Sequence, residues 1–170
     1  MFINQRNNLI LDFLFYTGIR ASELVNIKHC DYQNNMLRIH GKGNKIRYVF
    51  LPDFLTKYFH SNKKDFLFKT RKNNPLTIIQ LRKIIVQKTK RARINKLISP
   101  HTFRRSFATL LNNKGVQLTT IQKLLGHSHI TTTVSYIHND YNTLYADYSK
   151  LWRSDDRTTI TKNNKIFNSL

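Results

Sequence analysis

The chain has 170 residues, 40% of them hydrophobic, with a single cysteine, Cys30. That length suits one domain with a real core. It holds no apolar run near the roughly 20 residues of a membrane span, no signal-peptide pattern over residues 1–11, and too few cysteines for an internal disulfide or a cysteine-built metal site. Lys and Arg total 29 against 9 Asp and Glu, a net charge of +20. A surface of that sign repels itself without a polyanion, so nucleic acid held through its phosphates, in a reducing compartment, is the expected partner. A solvated basic face or a membrane-surface patch is the competing reading; the basic stretch is not one isolated amphipathic helix, which weighs against it. The imbalance is local. No Asp or Glu falls between Asp65 and Asp140, a span that holds Arg82, Lys83, Lys90, Arg91, Arg93, Lys96, Arg104 and Arg105 among others.

Residues 4–17 read as a helix, with Leu9, Ile10, Phe13, Leu14 and Tyr16 forming a broad apolar face. Gly18 breaks it, and Ser22 with Glu23 opens a short helix running to about Ile27. Arg20 therefore sits at a helix junction, where an Arg is ordinarily a surface residue. Residues 36–40 and 46–51 alternate apolar and polar around Gly41-Lys42-Gly43-Asn44-Lys45, which reads as a β-hairpin. Lys42 stands at the start of that loop, between glycines that permit close approach. The Gly-Lys-Gly is not a P-loop, because the spacing is wrong and no helix follows. Residues 53–59 form the next expected helix, capped by Asp53, and 61–74 a loop around Phe66-Leu67-Phe68. A helix over 75–93 carries Ile78, Leu81, Ile84 and Ile85 on one face and basic residues on the other.

Ser99 is a good N-cap, and Pro100 fits the first helical position, where no N–H is needed. His101 and Arg104 then project from one face, and Gly115 closes the helix. Thr119 with Gln122 suggests a capping box for a second helix, ended by Gly126, with His127 just beyond. Thr131 starts a third, which carries Tyr136. Residues 141–152 form an amphipathic helix with Tyr141, Leu144, Tyr145, Tyr148, Leu151 and Trp152 on one stripe, for its own core or a neighbouring subunit. Residues 153–170 read as a polar, mobile tail. The expected architecture is α+β: mainly helical with a small antiparallel sheet, in one domain over 1–152.

Arg and His donate hydrogen bonds to oxyanions, Arg as a planar fork matched to phosphate. Tyr is a nucleophile once its proton is managed. Each of these residues alone has a plainer reading: a structural histidine, a core tyrosine, a lysine in a solvated turn. Together they form a pattern: Arg20 in Tyr-Thr-Gly-Ile-Arg-Ala-Ser-Glu-Leu, Lys42 in Gly-Lys-Gly-Asn-Lys, His101 and Arg104 in His-Thr-Phe-Arg-Arg, His127 in Leu-Leu-Gly-His-Ser, and Tyr136 nine residues later.

Over residues 4–138 this set resembles the catalytic domain of the tyrosine recombinases, the phage-integrase and Xer-type family. The resemblance implies the DNA breaking–rejoining fold and site-specific recombination of double-stranded DNA. Tyr136 would attack a phosphodiester to give a 3′-phosphotyrosine, and a 5′-hydroxyl from another strand would reverse the step. Arg20 and Arg104 would cradle the phosphate, His127 would donate to it, His101 would manage the Tyr136 proton, and Lys42 would protonate the leaving oxygen. No metal or cofactor is implied, and the acid-free span 66–139 fits a site with no carboxylate near the arginines. A homotetramer on DNA, in the cytoplasm or nucleoid, is the expected assembly. The core-binding domain that usually precedes this one in the family is absent from the 170 residues. Two other activities stay open: type IB topoisomerase-like relaxation, and DNA binding without catalysis.

Overall fold

The centre of the molecule is a helix whose second half, from Leu9 on, is buried on nearly every side. In the computed structural model, which describes residues 3–33, 36–41, 46–59, 64–126 and Tyr148, helix α1 (Ile3–Thr17) buries Leu9, Ile10, Leu11 and the run Phe13–Thr17. Such a helix needs cover on every side. Phe13 meets the edge of Phe68 at 5.4 Å between ring centroids, Tyr16 meets Phe54 at 4.9 Å, and α5 (Pro100–Asn113) lies along it. Leu67 and Phe68 are thus core, as their apolar character suggests, while Phe66 is half-buried and forms only an isolated bridge to Lys28.

Gly18 ends α1 in the left-handed region at φ +60°, where L side chains are strained. Helix α2 (Ala21–Val25) follows after Arg20, which takes the extended N-cap position. The helix stops at Val25 rather than at about Ile27: the Asn26 and Ile27 N–H groups donate to the Glu23 and Leu24 carbonyls, three residues back, and the Ile27 carbonyl then accepts from the Leu67 N–H. A 3₁₀ turn (His29–Asp31) leads into a three-stranded antiparallel sheet: β1 (Tyr32–Gln33), β2 (Met36–His40) and β3 (Ile46–Phe50), in that spatial order. The hairpin of β2 and β3 is as expected; β1 is an addition, too short to show a period in sequence.

Helix α3 (Asp53–Thr56) is one turn, with Pro52 rather than Asp53 at the N-cap. Helix α4 (Ile78–Arg91) starts three residues later than the sequence suggests. The cause is local: the Thr77 hydroxyl accepts from the Gln80 N–H in a capping box, while Pro75 pairs with Lys69 in an extended bridge. Helix α5 begins as expected at Pro100, with the Ser99 hydroxyl accepting from the Thr102 N–H. Gly115, at φ +79°, follows its end. Helix α6 (Leu118–Leu125) has Gln117 at its N-cap without a side-chain bond, so the capping box expected from Thr119 and Gln122 does not form; Thr119 already lies inside the first turn. Gly126 ends α6 at φ +66°, as expected.

A second apolar cluster joins α5 and α6 to the sheet through Phe50, Phe107, Leu111, Ile121, Leu124 and Leu125. Tyr148 belongs to it, stacked at a tilt 5.7 Å from Phe50 and donating from its hydroxyl to the Tyr16 carbonyl at 3.0 Å. That residue of the expected 141–152 helix therefore packs on its own chain; the rest of that helix, the helix expected from Thr131 and the 153–170 tail lie outside the described residues.

The turn at Gly18 is where α1, α5 and α6 meet. A Cβ there would come within 2.5 Å of Phe107 Cδ1 and 3.0 Å of Leu125 Cδ2. Gly18→Ala adds this overlap to left-handed strain, and is expected to destabilise the fold by about 1–3 kcal/mol. Urea unfolding followed by circular dichroism checks this; an unchanged midpoint would contradict it.

Candidate active site

Among the described residues, three of the four guanidinium or carboxylate groups at the site come from one helix junction and one strand. The α1–α2 turn supplies Arg20 and Glu23, and β3 supplies Arg47. The fourth, Arg104, projects from the second turn of α5. It is 7% exposed, buried more deeply than a charged side chain is unless its donors are satisfied. Arg104 Nη1 donates to the Gly18 carbonyl at 2.7 Å, and Nη2 to the Leu125 carbonyl at 2.6 Å. Both acceptors are left over at helix ends, where carbonyls lack intrahelical partners. Arg104 thus clamps the end of α1 to the end of α6.

Arg20 reaches the same place from outside. Its Nη2 donates to the Gly126 carbonyl at 3.4 Å, one peptide beyond the carbonyl that Arg104 holds. Its Nη1 pairs with Glu23 Oε1 at 2.9 Å. Burial, and then the neighbouring charges of Arg20 and Arg47, push the Arg104 pKa down to about 10, with Glu23 opposing. At neutral pH the group is still a cation. Of the five N–H donors a guanidinium carries, Arg104 spends two on carbonyls of the described residues.

Glu23 is the organiser. It is buried, at 5% exposure, and accepts three hydrogen bonds: from the Arg20 backbone N–H at 2.8 Å, from Arg20 Nη1, and from Arg47 Nη2 at 2.7 Å. This corrects the expectation that no carboxylate lies near the arginines. The span 66–139 is indeed free of acids, but the chain returns Glu23 to the site from outside it. The carboxylate orients two cations in one place, and the cluster of three arginines and one glutamate keeps net positive charge.

Sequence reasoning missed both Glu23 as a site residue and Arg47. A signal for Arg47 existed. In β3 the apolar Ile46 and Tyr48 are exposed while Arg47 shares the inward phase with Val49, opposite buried Ile39. An arginine on the buried phase of a strand is the feature to notice.

Of the residues singled out in sequence, the structure brings Arg20 and Arg104 together at the end of α6. His101 lies exposed on the first turn of α5, one turn from Arg104. The expectation that both project from one face holds only in spacing, since Arg104 turns inward while His101 is exposed. Lys42, His127 and Tyr136 lie outside the described residues. Elsewhere on the chain, Arg82, Lys83, Lys90, Arg91, Arg93, Lys96 and Arg105 are exposed, cations of the kind that hold a phosphate backbone. Among the described residues no group of His, Cys, Asp and Glu is arranged to hold a metal, and no helix is long and apolar enough to cross a membrane.

The chain belongs to the phage integrase family, whose profile matches residues 2–143. Among its relatives is the tyrosine recombinase XerC of Anoxybacillus flavithermus, 38% identical over 152 residues, covering 80% of this chain and 51% of that protein. Solved structures share the fold. The integrase from mycobacterium phage Brujita superposes with a TM-score of 0.74 at 21% identity, over 92% of this chain and 56% of that one. The XerH recombinase in a post-cleavage complex with palindromic difH substrate superposes with a TM-score of 0.63 at 30% identity, over 86% of this chain and 46% of that one. The chain spans about half the length of the curated relatives it matches.

Removing the charge of Glu23 leaves three guanidiniums crowded around an unmatched site. Glu23→Gln is expected to destabilise the fold by about 3–5 kcal/mol, the usual cost of breaking a buried ion pair. Sulfate, by occupying the freed cations, should raise the melting temperature of the variant more than that of the wild type, relative to sodium chloride at equal ionic strength. Equal sulfate shifts for the two proteins would contradict the claim that Glu23 is their counter-charge.

Proposed function

We propose that this chain is the catalytic domain of a site-specific DNA recombinase that cuts and rejoins duplex DNA through a covalent 3′-phosphotyrosine link. The observation that carries the reading is the convergence of Arg20 and Arg104 on the consecutive carbonyls of Leu125 and Gly126, immediately before His127 in the chain. Family membership supports it, and so does the relative whose solved structure is a post-cleavage complex with its DNA substrate.

The roles follow from side-chain chemistry. The Tyr136 phenol, relieved of its proton, attacks the phosphorus; a Tyr–O–P bond forms and the bond to the 5′-oxygen breaks. Lys42 supplies the proton that makes the departing oxygen a hydroxyl, and His101 takes the phenolic proton. Arg20 and Arg104 meet the non-bridging oxygens, where charge grows in the transition state, and His127 donates to one of them. A preorganised donor of this kind is worth about 3 kcal/mol. The guanidiniums supply the electrophilic charge, so the mechanism draws on no metal ion. The phosphotyrosine keeps the energy of the broken diester, so a 5′-hydroxyl from a second duplex can take the phosphate back without ATP. Strand exchange needs more than one cut duplex, hence several copies of the chain, a homotetramer on DNA, in a reducing compartment that holds DNA.

A nicked suicide duplex, which traps the covalent intermediate, tests this directly. Wild type is expected to give a covalent protein–DNA band on a denaturing gel, and to do so in the presence of EDTA. Tyr136→Phe should shift DNA on a native gel yet form no covalent band; a persistent adduct would remove Tyr136 from the mechanism. Arg104→Lys keeps the charge but loses the fork, and its adduct rate should fall by about 100-fold or more. A native-gel shift from wild type with no covalent band at any time would make the chain a DNA binder. Relaxation of supercoiled plasmid without recombinants would make it a topoisomerase.

A further inference from the structure

Arg47 has no part in the mechanism above, yet the cluster is built around it. Its side chain is 15% exposed and its Nη2 pairs with Glu23 Oε2 at 2.7 Å, while Glu23 Oε1 holds Arg20. Its stem lies over Gly126: a Cβ at that glycine would come within 2.3 Å of Arg47 Cδ and 2.5 Å of Nε. One side chain on β3 therefore touches the two features that orient the arginine pair, namely the carboxylate that fixes Arg20 and the glycine whose carbonyl Arg20 reaches. The arrangement is not built for packing alone. Arg47 Nε and Nη1 are buried without a hydrogen-bond partner among the described residues. Unmatched buried donors are destabilising, and an apolar residue on this inward phase would avoid them.

We propose that Arg47 is a positioning residue: through Glu23 it locks the guanidinium of Arg20, and through Gly126 it sets the end of α6, so that β3 is tied to the arginine pair. Strand β3 follows residues 42–45 in the chain, so the same contact links the strand after Lys42 to the phosphate cradle. The consequence for cleavage rests on the recombinase reading above; the locking of Arg20 does not.

Two measurements on the full chain separate the parts. The first is NMR of arginine side chains in protein labelled with ¹⁵N- and ¹³C-arginine. In the wild type the Arg20 guanidinium should rotate slowly and show separate Nη signals. In Arg47→Gln those signals should merge while those of Arg104, held by the Gly18 and Leu125 carbonyls, stay resolved. An Arg20 that remains locked would overturn the proposal, and so would equal loss at Arg20 and Arg104, which marks general loosening.

The second measurement is the single-turnover rate of adduct formation on the nicked duplex. Arg47→Gln should lower it at least about 10-fold at saturating DNA, with DNA affinity changed less than about 3-fold, the pattern of lost orientation rather than lost binding. Because Arg47 acts through Glu23, the double variant Glu23→Gln/Arg47→Gln should be no slower than the slower single variant; multiplied losses would overturn that route. Arg47→Lys, which keeps the charge and one donor, should lie between wild type and Arg47→Gln in both readouts, and wild-type values in both would overturn the proposal. A wild type that forms no adduct would defeat the recombinase reading while the NMR still decides the role of Arg47.

Discussion

The grip of the Arg104 guanidinium on two backbone carbonyls is the contact on which the rest depends. It joins Gly18, at the end of the central helix, to Leu125, at the end of α6, across 86 and 21 residues of chain. A buried cation with satisfied donors is hard to displace, since any movement strands either the charge or a carbonyl. The turn at Gly18 allows the approach only because the residue has no side chain, with Phe107 and Leu125 closing on the space a Cβ would take. Folding and positioning of the Arg104 guanidinium are one event in this design.

Around that contact the protein gathers like charges, and among the described residues Glu23 is the carboxylate that offsets their repulsion. Glu23 accepts from Arg20 twice and from Arg47 once. Its placement is a consequence of helix capping: as the third residue of α2 it reaches back to the N-cap N–H, as a Glu in a capping box does. The same geometry sets Arg20 at the mouth of the site. Among the described residues the cluster is then positive in net charge, with its guanidiniums already held in place by hydrogen bonds. The Arg104 pKa is depressed first by burial and then by its arginine neighbours, with Glu23 opposing.

Much of this was legible in the sequence where signals are local. Ser99-Pro100 announced the start of α5, Gly18 and Gly126 announced helix ends, and the motifs around Arg20 and Arg104 announced the family. The helix starts at Ile78 and Leu118 were misplaced because Thr77 and Gln117 compete with equally plausible neighbours, and only tertiary context decides. The two-residue strand β1 is held by pairing with β2, not by its own propensity. Glu23 and Arg47 escaped for a different reason. Their meaning lies in contacts across 24 residues, and a charged residue on the inward phase of a strand reads as noise until its partner is known. The absence of acids over 66–139 was a true observation that pointed the wrong way, because the carboxylate comes from another part of the chain.

The central claim is that Arg20 and Arg104 form one preorganised receptor for a tetrahedral oxyanion, standing in for a DNA phosphate. Crystals of the protein soaked in tungstate, examined by anomalous diffraction, address it most directly. One anion within hydrogen-bond distance of both guanidiniums, beside the end of α6, is the result the account requires. Tungstate scattered over the basic surface, with none shared by Arg20 and Arg104, would contradict it.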